Sequence, residues 1–277
     1  MHVEESKTKV GRKPAGRPLP REHGAWALLY GPFLLSLLAW GGISLRRVLL
    51  FIAVTALFLS REPMARLLRG TRHGLRPELK EKWGRWLAVT LGAGITASLI
   101  LILAFRLTGL LWLGIGAFAL LGIHTILTLR RQERSIWGEL LGVLALTTTG
   151  LAAHYVDAGV FGASGWRIWV LSLLYFSSAV FFVKMQIAYF MKPATLAGSR
   201  LLNLAYHSFL IGCLIGLWLG SWIPAALAVA YLPILIRATV GSFRFPAKLD
   251  IKKLGYLEVC YTVFFVVVAG LALRLAA

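Results

Sequence analysis

Residues 256–275 read YLEVCYTVFFVVVAGLALRL, twenty positions whose only charged side chains are Glu258 and Arg274. A helix of that length rises about 30 Å, which matches the hydrocarbon core of a bilayer. Comparable apolar runs, divided by charged or Gly/Pro-rich breaks, lie upstream at 23–41, 46–60, 85–104, 108–126, 137–155, 167–184, 202–219 and 222–240. Lipid offers no partner to an open backbone group, so each run must satisfy its own peptide bonds as a helix; a barrel would show alternating segments of about ten residues instead. The expected fold is all-α: a polytopic membrane bundle of about nine transmembrane helices. Residues 22–277 form one transmembrane domain, preceded by a basic segment, 1–21.

Composition agrees. A hydrophobic share of 58% and a mean hydropathy of +0.75 over 277 residues leave too little polar surface for a soluble domain. The net charge of +19 invites a nucleic-acid reading, but the basic residues sit in the short breaks between apolar runs, as the positive-inside rule describes. The expected partner is the bilayer and not nucleic acid. With the N-terminus in the cytoplasm, twenty-five of the thirty Lys and Arg residues fall on the cytoplasmic side. Arg46, Arg47, Arg106, Arg167 and Arg274 remain outside, and the C-terminus lies outside too. Met1–Arg21 is polar and basic without a small-residue cleavage site after the first span, so that span is expected to stay as a helix in the cell membrane. Tryptophans follow the same division: Trp26, Trp83, Trp86 and Trp137 are expected at the inner interface, and Trp40, Trp112, Trp166, Trp169, Trp218 and Trp222 at the outer one. Cys213 and Cys260 lie within apolar runs and read as small buried hydrophobes.

Ionisable groups in or beside a span are costly, and each is a site candidate. Glu22, Trp26 and Tyr30 form one helical stripe beside His23, with Glu22 at a helix start where the dipole favours an anion. Helix capping and an interfacial anchor would account for the same residues. Arg61 and Glu62 are expected to end span two, where a carboxylate opposes the dipole and needs a cation nearby. Arg130 and Arg134, one turn apart, can grip a phosphate or carboxylate with planar donor forks. Glu139 lies deeper and must be paired or protonated. Lys184 and Gln186 end span six, and Arg200, Asn203 and His207 share one face of span seven at i, i+3 and i+7. Interhelical hydrogen bonding competes with a functional role there. Arg237, Arg244, Glu258 and Tyr261 complete a ring of polar groups at the cytoplasmic mouth. Within this ring Glu22, His23 and His207 are the acid/base candidates. The other residues named, up to Asn203, are the candidate ligand-binding set. Thr147-Thr148-Thr149-Gly150 is expected to bond back to its own helix and loosen span five. His124 and His154 fall near opposite ends of adjacent spans and cannot share an iron. No P-loop, HExxH, GxSxG or paired-Cys spacing occurs, and the only aspartates are Asp157 and Asp250. The sequence calls for no metal or cofactor.

Arg21-Glu22-His23-Gly24-Ala25-Trp26, followed by an apolar span, resembles the YwiC-like family of bacterial membrane proteins, a resemblance that implies no particular reaction. More distantly, the chain resembles the UbiA superfamily of membrane prenyltransferases, which implies nine helices around a cavity open near the cytoplasmic face. Leu127–Tyr155, with Arg130-Arg131 leading into a Gly-rich span, is similar to that fold's basic turn and fifth helix. Where those enzymes carry Asp-rich motifs, this sequence has Ser60-Arg61-Glu62-Pro63 and Lys184-Met185-Gln186, so no metal-binding aspartate carries over. The resulting expectation is a bundle that binds an amphiphile with an anionic head, such as an isoprenoid, quinone precursor or lipid. Metal-independent transfer chemistry on that ligand is open. The alternative is a transporter with Glu22, Glu62, Glu139 and His207 as an ion pathway.

Overall fold

A computed structural model describes residues 23–74, 76–130, 132, 135–245 and 250–276. Glu22, Arg134 and the basic leader lie outside the described residues, as does the His23 side chain. The described residues form nine α-helices and no strand: α1 His23–Trp40, α2 Leu45–His73, α3 Pro77–Leu99, α4 Gly109–Leu129, α5 Ile136–Ala158, α6 Ala163–Met191, α7 Leu196–Leu219, α8 Leu227–Phe243 and α9 Ile251–Leu275. A π-helical turn, Ile100–Ala104, prolongs α3, and a 3-10 turn, Pro193–Thr195, leads into α7. Six stretches are long and apolar enough to cross a membrane: Leu45–Gly70, Pro77–Ala104, Ile136–Ala158, Ala163–Met191, Pro193–Leu219 and Lys252–Leu275. In α1, α4 and α8 the apolar helix is shorter, about 25 Å by its rise per residue. The chain is thus a multi-pass, all-α membrane protein.

The helices outrun the expected spans chiefly at the basic end of the bundle. Span two was expected to stop at residue 60, but α2 continues to His73 through Pro63. The proline removes one ladder bond without ending the helix, and Glu62, no longer at a terminus, pairs with Arg66 one turn on at 2.6 Å. Ser44, Ser135 and Asp250 cap the starts of α2, α5 and α9 by accepting from Arg47, Gly138 and Lys253 backbone N–H groups.

Helix α1 sits between two apolar cores. One joins Leu35 and Ala39 to Ile168, Tyr175, Tyr231 and Phe265 of α6, α8 and α9. The other joins Phe33 to Leu50, Leu101 and Ala153 on the α2–α5 side. Gly150 permits a close approach of α1 and α6 to α5. A Cβ there would lie 2.6 Å from Ile168 Cγ2 and 2.9 Å from the Pro32 carbonyl. Helix α5 runs unbroken past it, so the threonine run back-bonds as expected without interrupting the helix. Trp83 corrects the interfacial assignment: it is 2% exposed, with the Arg66 guanidinium 4.4 Å from its ring centre. Both cysteines are free thiols, and Cys260 is exposed on the outer surface where a buried position was expected. On that lipid-facing surface it joins Phe264, Val267 and Leu271.

Arg46 and Arg47, two of the five arginines expected outside, have structural partners. Arg47 is 2% exposed. Its Nη2 lies 2.9 Å from Asp157 Oδ2, its Nε donates to the Ala153 carbonyl at 3.4 Å, and its Nη1 donates to the carbonyls of Gly41 and Gly42. Ser44 Oγ donates to the other Asp157 oxygen at 2.6 Å. The α1–α2 connection is thereby clasped to the end of α5. Arg46 lies over Phe105, 5.1 Å from the ring centre.

Candidate functional site: a groove between α8 and α9

Residues of α8 at positions 229, 233, 237 and 240, with its C-cap Arg244, recur every three or four positions and form one face. Residues of α9 at 254, 257, 261 and 264, with its N-cap Asp250, do the same. These faces enclose a groove of about 750 Å³, closed from below by Phe182 and Gln186 of α6. Gly241 makes that floor possible: a Cβ there would meet Phe182 Cε2 at 2.6 Å and Gln186 Nε2 at 3.3 Å. Val229, Leu232, Ile236, Val240 and Phe264 are exposed apolar walls, so the groove opens sideways toward lipid. Charge gathers toward the basic end, where Arg244, Asp250 and Lys253 line it.

Arg237 is the central group. Its side chain is 7% exposed and its Nη1 donates to Glu258 Oε1. The guanidinium lies 4.3 Å from the Phe182 ring centre and 5.4 Å from that of Tyr261, contacts that favour a cation. Its Nε and Nη2 are buried and have no hydrogen-bond partner among the described residues. Buried donors are normally satisfied, and a buried cation with idle donors is a costly arrangement for a fold to keep. A ligand oxyanion would satisfy them.

Behind the floor, α7 contributes a second polar group. Asn203 is fully buried and its Nδ2 donates to Ser242 Oγ at 3.0 Å and to the Ala238 carbonyl at 3.4 Å. His207 Nδ1 lies 2.7 Å from the Asn203 carbonyl. A carbonyl only accepts, so Nδ1 carries the proton and Nε2 of the neutral ring is left as an acceptor. Asn203 Oδ1 and His207 Nε2 have no partner among the described residues. Gln186 Nε2 reaches the Gly241 carbonyl at 3.5 Å, which puts this cluster next to the groove.

Other sequence candidates fall elsewhere. Trp26 and Tyr30 stack on each other and pack against Phe58 and Phe51 of α2, and the Tyr30 hydroxyl is 3.1 Å from Thr55 Oγ1. Arg61 lies over Phe58. Glu139 and Lys184 join α5 to α6 through an ion pair of 2.7 Å. Arg200 lies over Phe245, 5.6 Å from the ring centre, and Arg130 is exposed at the end of α4. Gln186, Asn203 and His207 are therefore the sequence candidates brought together around α8. Phe182 and Gly241 were missed, and Arg237 and Glu258 were left at the margin of the ring. An arginine inside the run Leu232–Val240 was the available signal, since an intramembrane charge marks a site by default.

The family model described as YwiC-like protein matches residues 19–154, from the Arg21–Trp26 motif to the last turn of α5. The chain is also 27% identical over 250 residues to "Uncharacterized protein YwiC" of Bacillus subtilis (strain 168), which covers 90% of this chain and 95% of that protein. No solved structure matches. The resemblance read from Arg21–Trp26 therefore holds across most of the chain, which is similar to the YwiC-like proteins.

Proposed function

We propose that the protein binds an amphiphile with an anionic head in the α8/α9 groove, the tail along the apolar walls and the head at Arg237. The observation that carries this reading is a nine-tenths-buried arginine with two idle donors lining a groove that is otherwise apolar and open to lipid. Isoprenoids, quinone precursors and phospholipids all have the required form. His207, behind the floor of the groove with its buried Nε2 unpartnered among the described residues, would be the group to move a proton in any reaction that follows binding. Arg61, Arg130 and Arg200 would add positive potential at the same end, which draws anionic heads toward it.

The test is purification in native lipid followed by mass spectrometry of retained small molecules. An amphiphilic anion held by the wild type and lost from Arg237→Gln is the expected result. A wild-type preparation that retains none, or equal retention by the variant, overturns the reading.

In the same reading the basic end faces the cytoplasm. With Cys213 and Cys260 replaced by Ala, single cysteines at Arg72 and Val160 are expected to label from opposite sides of the membrane. Labelling of both from one side overturns that orientation.

A further inference from the structure

Arg237 has one arm occupied and one buried edge without a partner among the described residues, and that edge has a definite shape. Nη1 is committed to Glu258. Nε and Nη2 are the two without partners, and on a guanidinium they form the side-on edge, whose N–H bonds run parallel. That edge fits the two oxygens of one carboxylate or one phosphate group. It offers a single seat.

The charges around the seat fix what it can neutralise. Arg237, Arg244 and Lys253 oppose Asp250 and Glu258 among the described lining residues, an excess of one positive charge. A head with one negative charge neutralises that described set. A diphosphate carries at least one charge more, and Glu258 stands beside the same guanidinium to repel it. Among the described residues no three His, Cys, Asp or Glu side chains converge as a cation site that would share the surplus.

We propose that the groove selects a monoanionic head, a carboxylate or phosphodiester on an apolar tail, over a diphosphate, with Glu258 as the residue that sets the selectivity. The proposal rests on the amphiphile-binding reading above and narrows its ligand class. It puts isoprenoid diphosphates outside the preferred ligands and membrane phosphodiesters or fatty acids inside them.

The experiment is competition binding to the full chain in a zwitterionic phosphatidylcholine nanodisc, with phosphatidylglycerol, oleate and farnesyl diphosphate as probes. Wild type is expected to favour phosphatidylglycerol or oleate over farnesyl diphosphate by about tenfold or more, the scale of one charge-assisted hydrogen bond. Comparing the first two probes distinguishes a phosphodiester from a carboxylate source. Glu258→Gln is expected to narrow the gap by strengthening diphosphate binding, and Arg237→Lys, which keeps the charge but not the fork, to weaken the monoanions about tenfold. Equal or tighter binding of farnesyl diphosphate by wild type overturns the selectivity and leaves the groove as an anion site. If none of the three probes exceeds phosphatidylcholine, the groove reading itself falls. The wild-type comparison needs no variant, so a misfolded Glu258→Gln protein does not rescue the proposal.

Discussion

Arg47 and Arg237 have side chains more than nine-tenths buried near opposite ends of the bundle, and they are treated differently. Arg47, 2% exposed, uses all three nitrogens: Nη2 on Asp157, Nε on the Ala153 carbonyl and Nη1 on the carbonyls of Gly41 and Gly42. Arg237, 7% exposed, uses Nη1 on Glu258 and leaves Nε and Nη2 without a hydrogen bond among the described residues. A fold that needs an arginine as a staple satisfies it, because each idle buried donor costs about 1–3 kcal/mol. Arg47 closes a loop onto a helix end. Arg237 faces a groove. Arg167 and Arg200 each leave one buried Nε without a partner as well, so the idle pair of Arg237 marks a site only together with the groove that it lines.

The largest expected effect tests the support. Arg47→Met strips donors from three backbone carbonyls and leaves Asp157 facing Ser44 alone, so it should lower unfolding stability by about 3 kcal/mol or more. Thermal unfolding of the purified protein in detergent reads this directly. A loss under about 1 kcal/mol would mean that the clasp contributes little and that completeness of bonding says nothing about role.

The next effect has the opposite sign and sharpens the contrast. Replacing both members of the other pair, Arg237→Met with Glu258→Leu, removes the idle donors together with the carboxylate. Apolar replacement of a buried pair is often neutral or stabilising by about 1–4 kcal/mol. The double variant should melt at or above the wild-type temperature and retain no anionic amphiphile. Marked destabilisation would make Arg237 a second staple. The same double replacement at Arg47 and Asp157 should still destabilise, because the carbonyls of Gly41 and Gly42 remain without their donor.

What the sequence allowed differs between the apolar and the polar parts of the chain. Each of the nine apolar runs lies mostly or wholly within its own helix, because the hydrophobic requirement of a bilayer is written in consecutive residues. Helix ends were less legible. Hydropathy marks the apolar slab, whereas a helix continues while its backbone bonds are made, as α2 does from Ser60 to His73. Ser44, Ser135 and Asp250 were local signals for three starts. Side-chain pairing was hardly legible at all. Glu139 could be said to need a partner, but not that Lys184 of α6 supplies it. Arg47 and Asp157 are 110 positions apart in the chain, and only packing of α2 on α5 joins them. Arg237 and Glu258 were visible as charges near the mouth. The groove that gives them meaning depends on the crossing of α8 and α9 over Phe182.

The smallest expected effect separates polar groups satisfied within a helix from those satisfied between helices. Thr147, Thr148 and Thr149 each donate to a carbonyl of their own helix, at 2.8, 2.6 and 2.8 Å. Thr149 alone of the three also reaches across to α1, 2.8 Å from the Leu29 carbonyl, one turn before Pro32 and beside Gly150. A hydroxyl has one proton, so the two acceptors share it and neither bond is at full strength. Valine has nearly the same shape without the donor. Thr149→Val should therefore cost about 0.6 kcal/mol, the average for hydrogen bonds between membrane helices. Thr147→Val should cost close to nothing, since its own-helix carbonyl keeps the backbone N–H that already bonds it. Equal losses at the two positions in parallel thermal unfolding would mean that the α1–α5 contact is held by apolar packing alone, with Gly150 against Pro32 and Ile168 as its determinant.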